Sequence, residues 1–306
     1  RPPRSTPLYS SAASDVYKRQ YPMSVQNKTD RVWLITGCST GIGREIANIV
    51  LASGQRAAVT ARNPDSVADL VAAYPDQALA LALDVTENMA VTAAVNKTQQ
   101  HFGTIDVLVN NAGYGYMSAL EEGEDAEVRK LFDTNFFGVV DLIKAVLPIM
   151  REQRSGYIIN MSSMTGLVTN PPNIYYSCTK YAMEALTEGL AKELEPFNIK
   201  VTAIEPGAFR TDWATRSMQE TSTPIEAYAD TVGARKELIK LAGNMLPGDP
   251  KRIADAVLML ANHDDPPLHL LLGHDVLGAF RQKLSDWNSS IEEWEAVTKD
   301  VNFPSQ

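Results

Sequence analysis

Short apolar runs alternate along the chain with longer segments in which apolar residues recur every three to four positions. The apolar runs predict strands at residues 32–36, 57–61, 78–83, 107–110, 157–161, 200–204 and 268–272. The periodic segments predict helices at residues 43–53, 64–73, 89–101, 126–151, 175–195 and 250–262. Such alternation is typical of a parallel sheet covered by helices on both faces. We therefore expect one doubly wound α/β domain with about seven parallel strands.

Two segments near the end of the chain depart from this alternation. Residues 211–248 form a less regular insertion, and long connections of this kind are usually functional, often as lids. Residues 274–306 are predicted to form a helical extension, because apolar residues follow each other at alternating steps of three and four, as on one stripe of a helix. The stripe consists of Leu277, Phe280, Leu284, Trp287, Ile291 and Trp294. It docks onto its own domain, contacts another subunit or covers a binding cleft.

The N-terminal residues 1–22 are predicted not to belong to the fold. RPPRST at residues 1–6 and SSAASDVYKRQ at residues 10–20 resemble the translation of a sequencing-library adapter. A basic targeting peptide and a disordered tail are the alternatives, but the segment lacks the continuous apolar core of a signal sequence. We expect the natural start at Met23 and one domain over residues 23–306.

Charge and cysteine content exclude several classes of partner. The formal net charge is −9. Because the N-terminal segment is basic, the rest of the chain taken alone has a larger negative charge. An acidic protein is a poor ligand for nucleic acid or an anionic membrane, and the sequence contains no apolar run long enough to span a bilayer. Cys38 and Cys178 are the only cysteines, and they lack metal-ligand spacing. A reducing cytoplasm and a site without metal are the simplest expectations.

Tyr176 and Lys180 form the pair with the clearest chemical meaning. They are four residues apart in a predicted helix, so they share one face. A phenol has a pKa near ~10 and is a poor acid or base at neutral pH, but a fixed cation beside it favours the phenolate and lowers that pKa. The pair could exchange a proton with a carbonyl or alcohol oxygen. Because the spacing is common on surface helices, a cofactor site must support this interpretation.

A glycine-rich turn supplies that support. Residues 36–43, TGCSTGIG, follow an apolar strand and open a helix. Glycines allow the backbone to approach a pyrophosphate, and the free N–H groups of a helix N-terminus bind it. The spacing T-G-x-x-x-G-x-G resembles that of the short-chain dehydrogenase/reductase family, which has a Rossmann-like fold.

Four further motifs carry the same resemblance in the expected order. They are NNAG at residues 110–113, NFFG at residues 135–138, GYIINMSS at residues 156–163, and EPG at residues 205–207 followed by Thr211. The resemblance covers nearly everything from Arg31 to about Gly273. It implies an oxidoreductase with a nicotinamide cofactor, with residues 211–248 as its substrate loop.

The resemblance also implies four catalytic residues. Ser163 is chosen over Ser162 because the serine of the family usually lies thirteen residues before its tyrosine. Of the three nearby tyrosines, only Tyr176 has a lysine four residues later. Lys180 is expected to lower the pKa of Tyr176 and to hold the nicotinamide ribose. Asn135 is expected to support a water path from Lys180 to solvent, although alone it could be an ordinary polar residue inside a helix.

Charge at the end of the second strand suggests which dinucleotide binds. A carboxylate there would accept hydrogen bonds from the adenosine ribose and repel a 2′-phosphate, but this chain has Ala61 followed by Arg62. A guanidinium suits a phosphate, so we expect NADP(H) to be preferred over NAD(H), unless Arg62 is merely solvated or paired with Asp65. The expected cofactor-binding residues are Gly37, Ser39, Thr40, Gly41, Ile42, Gly43, Arg62, Asp84, Val85, Asn111, Ala112, Gly113, Tyr176, Lys180, Pro206, Gly207 and Thr211.

The substrate is expected to be a small, hydrophobic carbonyl compound or alcohol. Apolar residues flank the motifs, and an apolar cleft suits such a molecule. These residues are Tyr114, Tyr116, Met117, Met164, Leu167, Val168, Pro171, Phe209 and Trp213. The alternatives are a 3-ketoacyl-thioester reductase, an epimerase of the same family, and a nonenzymatic NADP(H)-binding sensor. The family resemblance further implies a homodimer or homotetramer.

Overall fold

A computed structural model describes residues 30–211 and 216–303. Seven parallel strands form one sheet in the order β3-β2-β1-β4-β6-β7-β9, and β5 pairs with β8 in a second, two-stranded sheet. The strands are β1 (Val32–Ile35), β2 (Arg56–Ala61), β3 (Ala78–Ala82), β4 (Val107–Asn110), β5 (Gly115–Met117), β6 (Gly156–Met161), β7 (Ile199–Pro206), β8 (Met218–Glu220) and β9 (His269–Leu272). All seven strands predicted from the apolar runs lie in the main sheet.

Helices cover both faces of this sheet. They are α1 (Gly41–Ala52), α2 (Ala68–Ala73), α3 (Asn88–Phe102), α4 (Asp125–Phe132), α5 (Gly138–Gln153), α6 (Ile174–Leu194), α7 (Ala234–Ala242), α8 (Pro250–Ala261) and α9 (His274–Lys299). The strand order changes direction between β1 and β4, and ligands of doubly wound folds bind where it does so, beyond the carboxyl ends of the strands.

Neighbouring side chains of β1 show how the core is divided. Trp33 and Ile35 pack in one apolar cluster with α1 and α8, whereas Leu34 between them packs in another with α3 and α5. Successive side chains of a strand point to opposite faces, so a strand that is apolar throughout must be buried on both sides. The predicted α/β fold, Rossmann-like with seven parallel strands, is confirmed.

Two predicted segments differ in detail. Residues 126–151 were expected to form one helix, but a π-helical turn at Asp133–Phe137 separates α4 from α5. Residues 211–248 were expected to be irregular, yet they contain β8 and α7. In β8, Met218 pairs with Gly115 of β5, a contact between distant segments that no local pattern reveals. Residues 1–22 and Trp213 lie outside the described residues.

The C-terminal helix α9 extends beyond the domain. Val276 in its first turn is buried, but every residue from Leu284 to Phe303 is exposed. The stripe therefore does not dock onto its own domain over most of its length, which corrects the simplest of the three interpretations. Within the described part of the chain, no helix is both long and apolar enough to cross a membrane.

Candidate active site

The glycine-rich turn connects β1 to α1 at the carboxyl edge of the sheet. Gly37 and Gly41 have φ values of 72° and 62°, a conformation in which a side chain is strained. Thr40 precedes α1 without a side-chain cap, and the first turn contains no acidic residue. The first N–H groups of a helix have no partner within it, so they can bind an anionic group.

The turn is held in place by the segment after β4. The Thr36 hydroxyl accepts hydrogen bonds from the backbone N–H groups of Asn111 and Ala112, both at 2.9 Å. The Asn111 side-chain amide donates to the Thr36 carbonyl at 2.8 Å. A Cβ on Gly43 would lie 2.3 Å from that amide nitrogen, and one on Gly113 would lie 3.0 Å from the Asn135 side chain. At Gly43, therefore, the glycine-rich turn closely approaches the segment after β4. At Gly113, that segment closely approaches Asn135.

The segment after β7 lies on the other side of the turn. The Gly207 N–H donates to the Leu272 carbonyl at 2.9 Å, and the Ala208 N–H donates to the Asp275 carboxylate at 2.6 Å. These bonds fix the chain direction after Pro206 and bring Thr211 close to Gly41. Further along the insertion, the Arg216 guanidinium donates to the Thr40 hydroxyl. The insertion therefore lies over the glycine-rich turn.

Two arginines near the end of β2 differ in their surroundings. Arg44 forms an ion pair with Asp69 and donates to the Ser66 carbonyl at 3.0 Å. Arg62 is exposed and forms no ion pair with any described residue, Asp65 included. The alternative in which Arg62 pairs with Asp65 is therefore not seen, and the side chain is solvated.

The neighbouring strand β3 leads to Asp84 and Val85. The Asp84 carboxylate accepts hydrogen bonds from the Thr86 N–H at 3.0 Å and the Thr86 hydroxyl at 2.8 Å. It stabilises this turn and does not cap α3, whose N-cap residue is Glu87. Val85 is buried, and its carbonyl oxygen would lie 2.7 Å from a Cβ on Gly138.

Ser163, Tyr176 and Lys180 meet where β6 and α6 approach each other. The Ser163 side chain is hydrogen-bonded to the Tyr176 phenol. The Lys180 ammonium lies 5.6 Å from the Tyr176 ring centroid and donates to the Met161 carbonyl at 2.7 Å. Tyr176 and Lys180 are both buried, so the structure brings together three of the four residues assigned by resemblance.

The adjacent serine and the adjacent tyrosines have other contacts. Ser162 donates to the buried Glu184 carboxylate. Tyr175 donates to the Leu120 carbonyl at 2.7 Å, and Tyr181 donates to the Leu167 carbonyl at 2.6 Å. Lys283 of α9 also binds the Tyr181 hydroxyl, at 2.6 Å. These contacts support the selection of Ser163 and Tyr176.

Asn135 lies in the π-helical turn between α4 and α5. Its side-chain amide donates to the Tyr114 carbonyl at 2.8 Å and to the Thr179 hydroxyl at 3.3 Å. Its side-chain oxygen accepts from the Tyr114 N–H at 3.1 Å. Asn135 thus connects the loop after β4 to α6, one residue before Lys180. π-helical turns are rare and frequently occur at functional sites.

Burial dominates the protonation of the Tyr176–Lys180 pair. It raises the pKa of Tyr176 far above its usual value, and the Ser163 hydrogen bond only partly opposes this. Burial also lowers the pKa of Lys180 to about 8, against the opposing effect of the Glu184 carboxylate. The expected lowering of the Tyr176 pKa by Lys180 is therefore not seen in this structure, where desolvation is the main influence on that pKa and the Ser163 hydrogen bond opposes it.

A second cluster of ionisable residues lies beside these residues and was not predicted; Glu184 and Glu205 are buried, and His269 is partly exposed. The His269 Nδ1 atom is 2.9 Å from Glu205 and 3.3 Å from Glu184. Glu184 was detectable, because it lies four residues after Lys180 on the same helix face. Glu205 was read only as part of the EPG motif. His269 gave no local signal, since β9 reaches β7 only through the sheet topology.

Several residues proposed to line an apolar cleft have a different role. Tyr116 and Met117 are almost completely buried, and Tyr116 packs with Leu131 and Tyr176 in a small core cluster. They support the catalytic helix α6 and do not line a cleft.

A profile of short chain dehydrogenases matches residues 31–222. The chain belongs to the short-chain dehydrogenase/reductase family. The oxidoreductase BOA17 of Botryotinia fuckeliana is 38% identical to this dehydrogenase/reductase over 269 residues, which cover 88% of this chain and 98% of that protein. A 3-ketodihydrosphingosine reductase of Bacteroides thetaiotaomicron is 36% identical over 245 residues, covering 79% and 88% of the two chains.

Solved structures show the same architecture. The crystal structure of a short-chain dehydrogenase from Streptomyces avermitilis superposes on this dehydrogenase/reductase with a TM-score of 0.84 at 40% identity, over 90% of this chain and all of that one. The protein ElxO, solved with NADP bound, has a TM-score of 0.68 at 29% identity, over 81% and 99% of the two chains. A Burkholderia phymatum enzyme in complex with NAD shares the fold at 20% identity and a TM-score of 0.74, over 90% and 98%.

Proposed function

We propose that this dehydrogenase/reductase interconverts a carbonyl and an alcohol on a small hydrophobic substrate, with NADP(H) as cofactor and Tyr176 as general acid/base. The observation that carries the proposal is the contact between the Ser163 side chain and the buried Tyr176 phenol, with the Lys180 ammonium 5.6 Å from its ring. Two hydroxyl groups aimed at one point can hold a substrate oxygen while negative charge develops on it.

The carboxyl edge of the sheet fits a nicotinamide dinucleotide. The uncapped N-terminus of α1 offers N–H groups to a pyrophosphate, and the missing Cβ atoms of Gly37 and Gly43 let the turn pack closely against the segment after β4. When bound, the nicotinamide supplies or accepts the hydride. Arg62, exposed and without an ion pair to any described residue, supports a preference for NADP(H), although related structures contain either NADP or NAD.

Each catalytic residue has a separate task in this proposal. Because burial raises its pKa, Tyr176 remains protonated at neutral pH and can donate a proton to a carbonyl oxygen. Ser163 orients that oxygen. Lys180, whose amine reaches the Met161 carbonyl, binds the nicotinamide ribose and passes a proton toward solvent. Asn135 holds the loop after β4 against α6, so that this path stays open.

A hydrophobic substrate is supported by the apolar residues around the site and by the name of one relative. The Bacteroides protein is a 3-ketodihydrosphingosine reductase, which reduces a ketone on a lipid chain. A 3-ketoacyl-thioester reductase or an epimerase would use the same pair of residues. A nonenzymatic sensor would bind NADP(H) without turnover, but the presence of all four catalytic residue types favours an enzyme.

The decisive experiment follows NADPH oxidation with a panel of ketones, aldehydes, long-chain 3-keto compounds and 3-ketoacyl thioesters, with the alcohols tested in reverse. Tyr176→Phe should retain NADPH binding and lose at least ~1,000-fold in kcat, since the proton donor is removed. Tyr175→Phe and Tyr181→Phe are matched controls that should remain active. Substantial turnover by Tyr176→Phe would refute the role of this phenol, and NADPH binding without turnover of any compound would favour the sensor.

A further inference from the structure

The exposed part of α9 has an apolar face that no other element of the described residues covers, although Lys283 of the same helix lies 4.8 Å from the Trp287 ring centroid. The apolar seam, defined as Leu277, Phe280, Leu284, Trp287, Ile291 and Trp294, runs along one side of the helix. Trp287, Ile291 and Trp294 are 59%, 62% and 57% exposed. Most helical stability in proteins comes from packing an apolar face. The seam therefore requires a partner.

We propose that the seam pairs with the seam of a second copy of this chain, as an antiparallel two-stranded coiled coil. Its steps of three and four residues give a repeat of 3.5, which keeps the contact face of a helix against a partner helix over several turns. Leu277, Leu284 and Ile291 occupy one core position of the repeat, and Phe280, Trp287 and Trp294 occupy the other.

The charges beside the seam select both the direction and the register. In the antiparallel register that we propose, Leu284 lies opposite Trp294 of the second copy, and Ile291 lies opposite its Trp287. This register places Arg281 beside Glu295 of the second copy. The twofold axis repeats this ion pair, so each interface contains two. In a parallel pair, Arg281 and Glu295 would be two heptads apart along the axis, roughly 20 Å at 1.5 Å per residue. Only the antiparallel arrangement brings opposite charges together.

The exposed area is sufficient for such an interface. A tryptophan can bury up to ~250 Å², so the four half-exposed tryptophans of a pair provide on the order of 500 Å². The remaining seam side chains of both copies add a similar area, and the total approaches the ~1,200 Å² of a small specific interface.

The polar side of α9 disfavours a membrane as the partner. The segment from Leu284 to Phe303 contains one cation, Lys299, and five acidic residues: Asp286, Glu292, Glu293, Glu295 and Asp300. Amphipathic helices that lie on anionic membranes carry an excess of lysine and arginine on their polar side. A second copy supplies Arg281 to Glu295, which also pairs with Lys299 of its own helix, whereas an anionic bilayer supplies no cation.

Cross-linking of the full chain tests the pairing even if other faces also associate. In a Cys178→Ser background, which removes the exposed native thiol, Asn288→Cys lies on the predicted twofold axis and should link to itself with a short bismaleimide. Asp300→Cys should not, because antiparallel pairing separates its two copies by about 22 residues, or ~33 Å. Self-linking of both positions would indicate a parallel pair, and absence of linking at Asn288→Cys would overturn the proposal.

A charge exchange tests the register independently. Arg281→Glu and Glu295→Arg should each weaken association several-fold in analytical ultracentrifugation, and the double variant should restore it. Glu293→Arg, which makes the same charge change away from the seam, is the control. Circular dichroism checks that α9 remains helical. No recovery in the double variant would reject this register, and binding of the wild type to phosphatidylcholine–phosphatidylglycerol vesicles through Trp287 and Trp294 would identify a membrane instead.

Discussion

His269 lies 2.9 Å from Glu205 through its Nδ1 atom, and this contact joins the last two strands of the sheet, near the proposed catalytic residues. Glu184 approaches the same nitrogen at 3.3 Å, and Glu188 approaches the Nε2 atom at 3.7 Å. Hydrogen bonds to Glu184 and Glu205 raise the pKa of His269 to about 10. Burial raises the pKa of Glu205 to about 7, although His269 opposes this. The cluster therefore contains an imidazolium at neutral pH.

The proton on His269 makes the stability of the fold depend on pH. A histidine whose pKa rises from 6.5 to about 10 on folding stabilises the protein fully below pH 6.5, and this contribution is lost as the pH rises through 10. His269→Gln should therefore lower the free energy of unfolding at pH 6, by about 2 kcal/mol for a group that is one-third exposed. It should also flatten the decline of stability between pH 6.5 and 10, measured by urea unfolding.

His269→Arg is the matched control for this prediction. It keeps a cation between the two carboxylates but does not titrate in this range, so it should retain more stability at pH 6 than His269→Gln and also lack the alkaline decline. An equal decline in wild type and His269→Gln would show that another group is responsible. Lys180 would not be that group, because burial lowers its pKa to about 8, so its titration makes stability rise with pH.

The two adjacent serines should have separable effects. Ser162→Ala removes the hydroxyl donor of the buried Glu184 carboxylate, so it should lower the free energy of unfolding by about 1–2 kcal/mol and change kcat only several-fold. Ser163→Ala should change stability little and reduce kcat at least ~100-fold, as expected for a lost transition-state donor. Urea unfolding and steady-state kinetics measure the two effects, and a reversed pattern would exchange the assignments.

Gly43 should be intolerant of the smallest side chain. A Cβ there would lie 2.3 Å from the Asn111 amide nitrogen and 2.5 Å from the Gly37 carbonyl oxygen. Gly43→Ala should destabilise the protein by about 2–3 kcal/mol and weaken NADPH binding at least tenfold. Gly189→Ala is the control: it lies exposed within α6 with no atom within 4 Å of the added Cβ. That change should stabilise by roughly 0.5–1 kcal/mol. Both are measured by thermal unfolding and fluorescence titration.

Arg62 should determine the cofactor preference. Arg62→Asp removes a cation that can form charge-assisted bonds to a 2′-phosphate, worth about 1.5–3 kcal/mol. It should lower kcat/KM for NADPH by ~10–100-fold and raise the relative efficiency with NADH. Arg56→Gln, at the opposite end of β2, should leave the ratio unchanged. A wild-type preference for NADH, or an unchanged ratio in Arg62→Asp, would contradict the proposed selector.

The sequence by itself determined the sheet and the positions of the main motifs. Strands that are apolar throughout, such as β1, require helices on both faces. The glycine spacing at residues 36–43 reflects a local steric constraint that is visible in the sequence. The Tyr176–Lys180 pair was visible for the same reason, since the helical period fixes which residues share a face. These features are local or periodic, so the order of residues is sufficient to predict them.

Tertiary structure alone decided which neighbours surround those motifs. His269 reaches Glu205 only because β9 pairs with β7, and Arg216 reaches Thr40 across 176 positions of the chain. The pKa of Tyr176 also depended on burial, which reverses the effect expected from Lys180 alone. Desolvation and contacts between distant segments are properties of the packed chain, because they arise only when elements far apart in sequence exclude water from the same place.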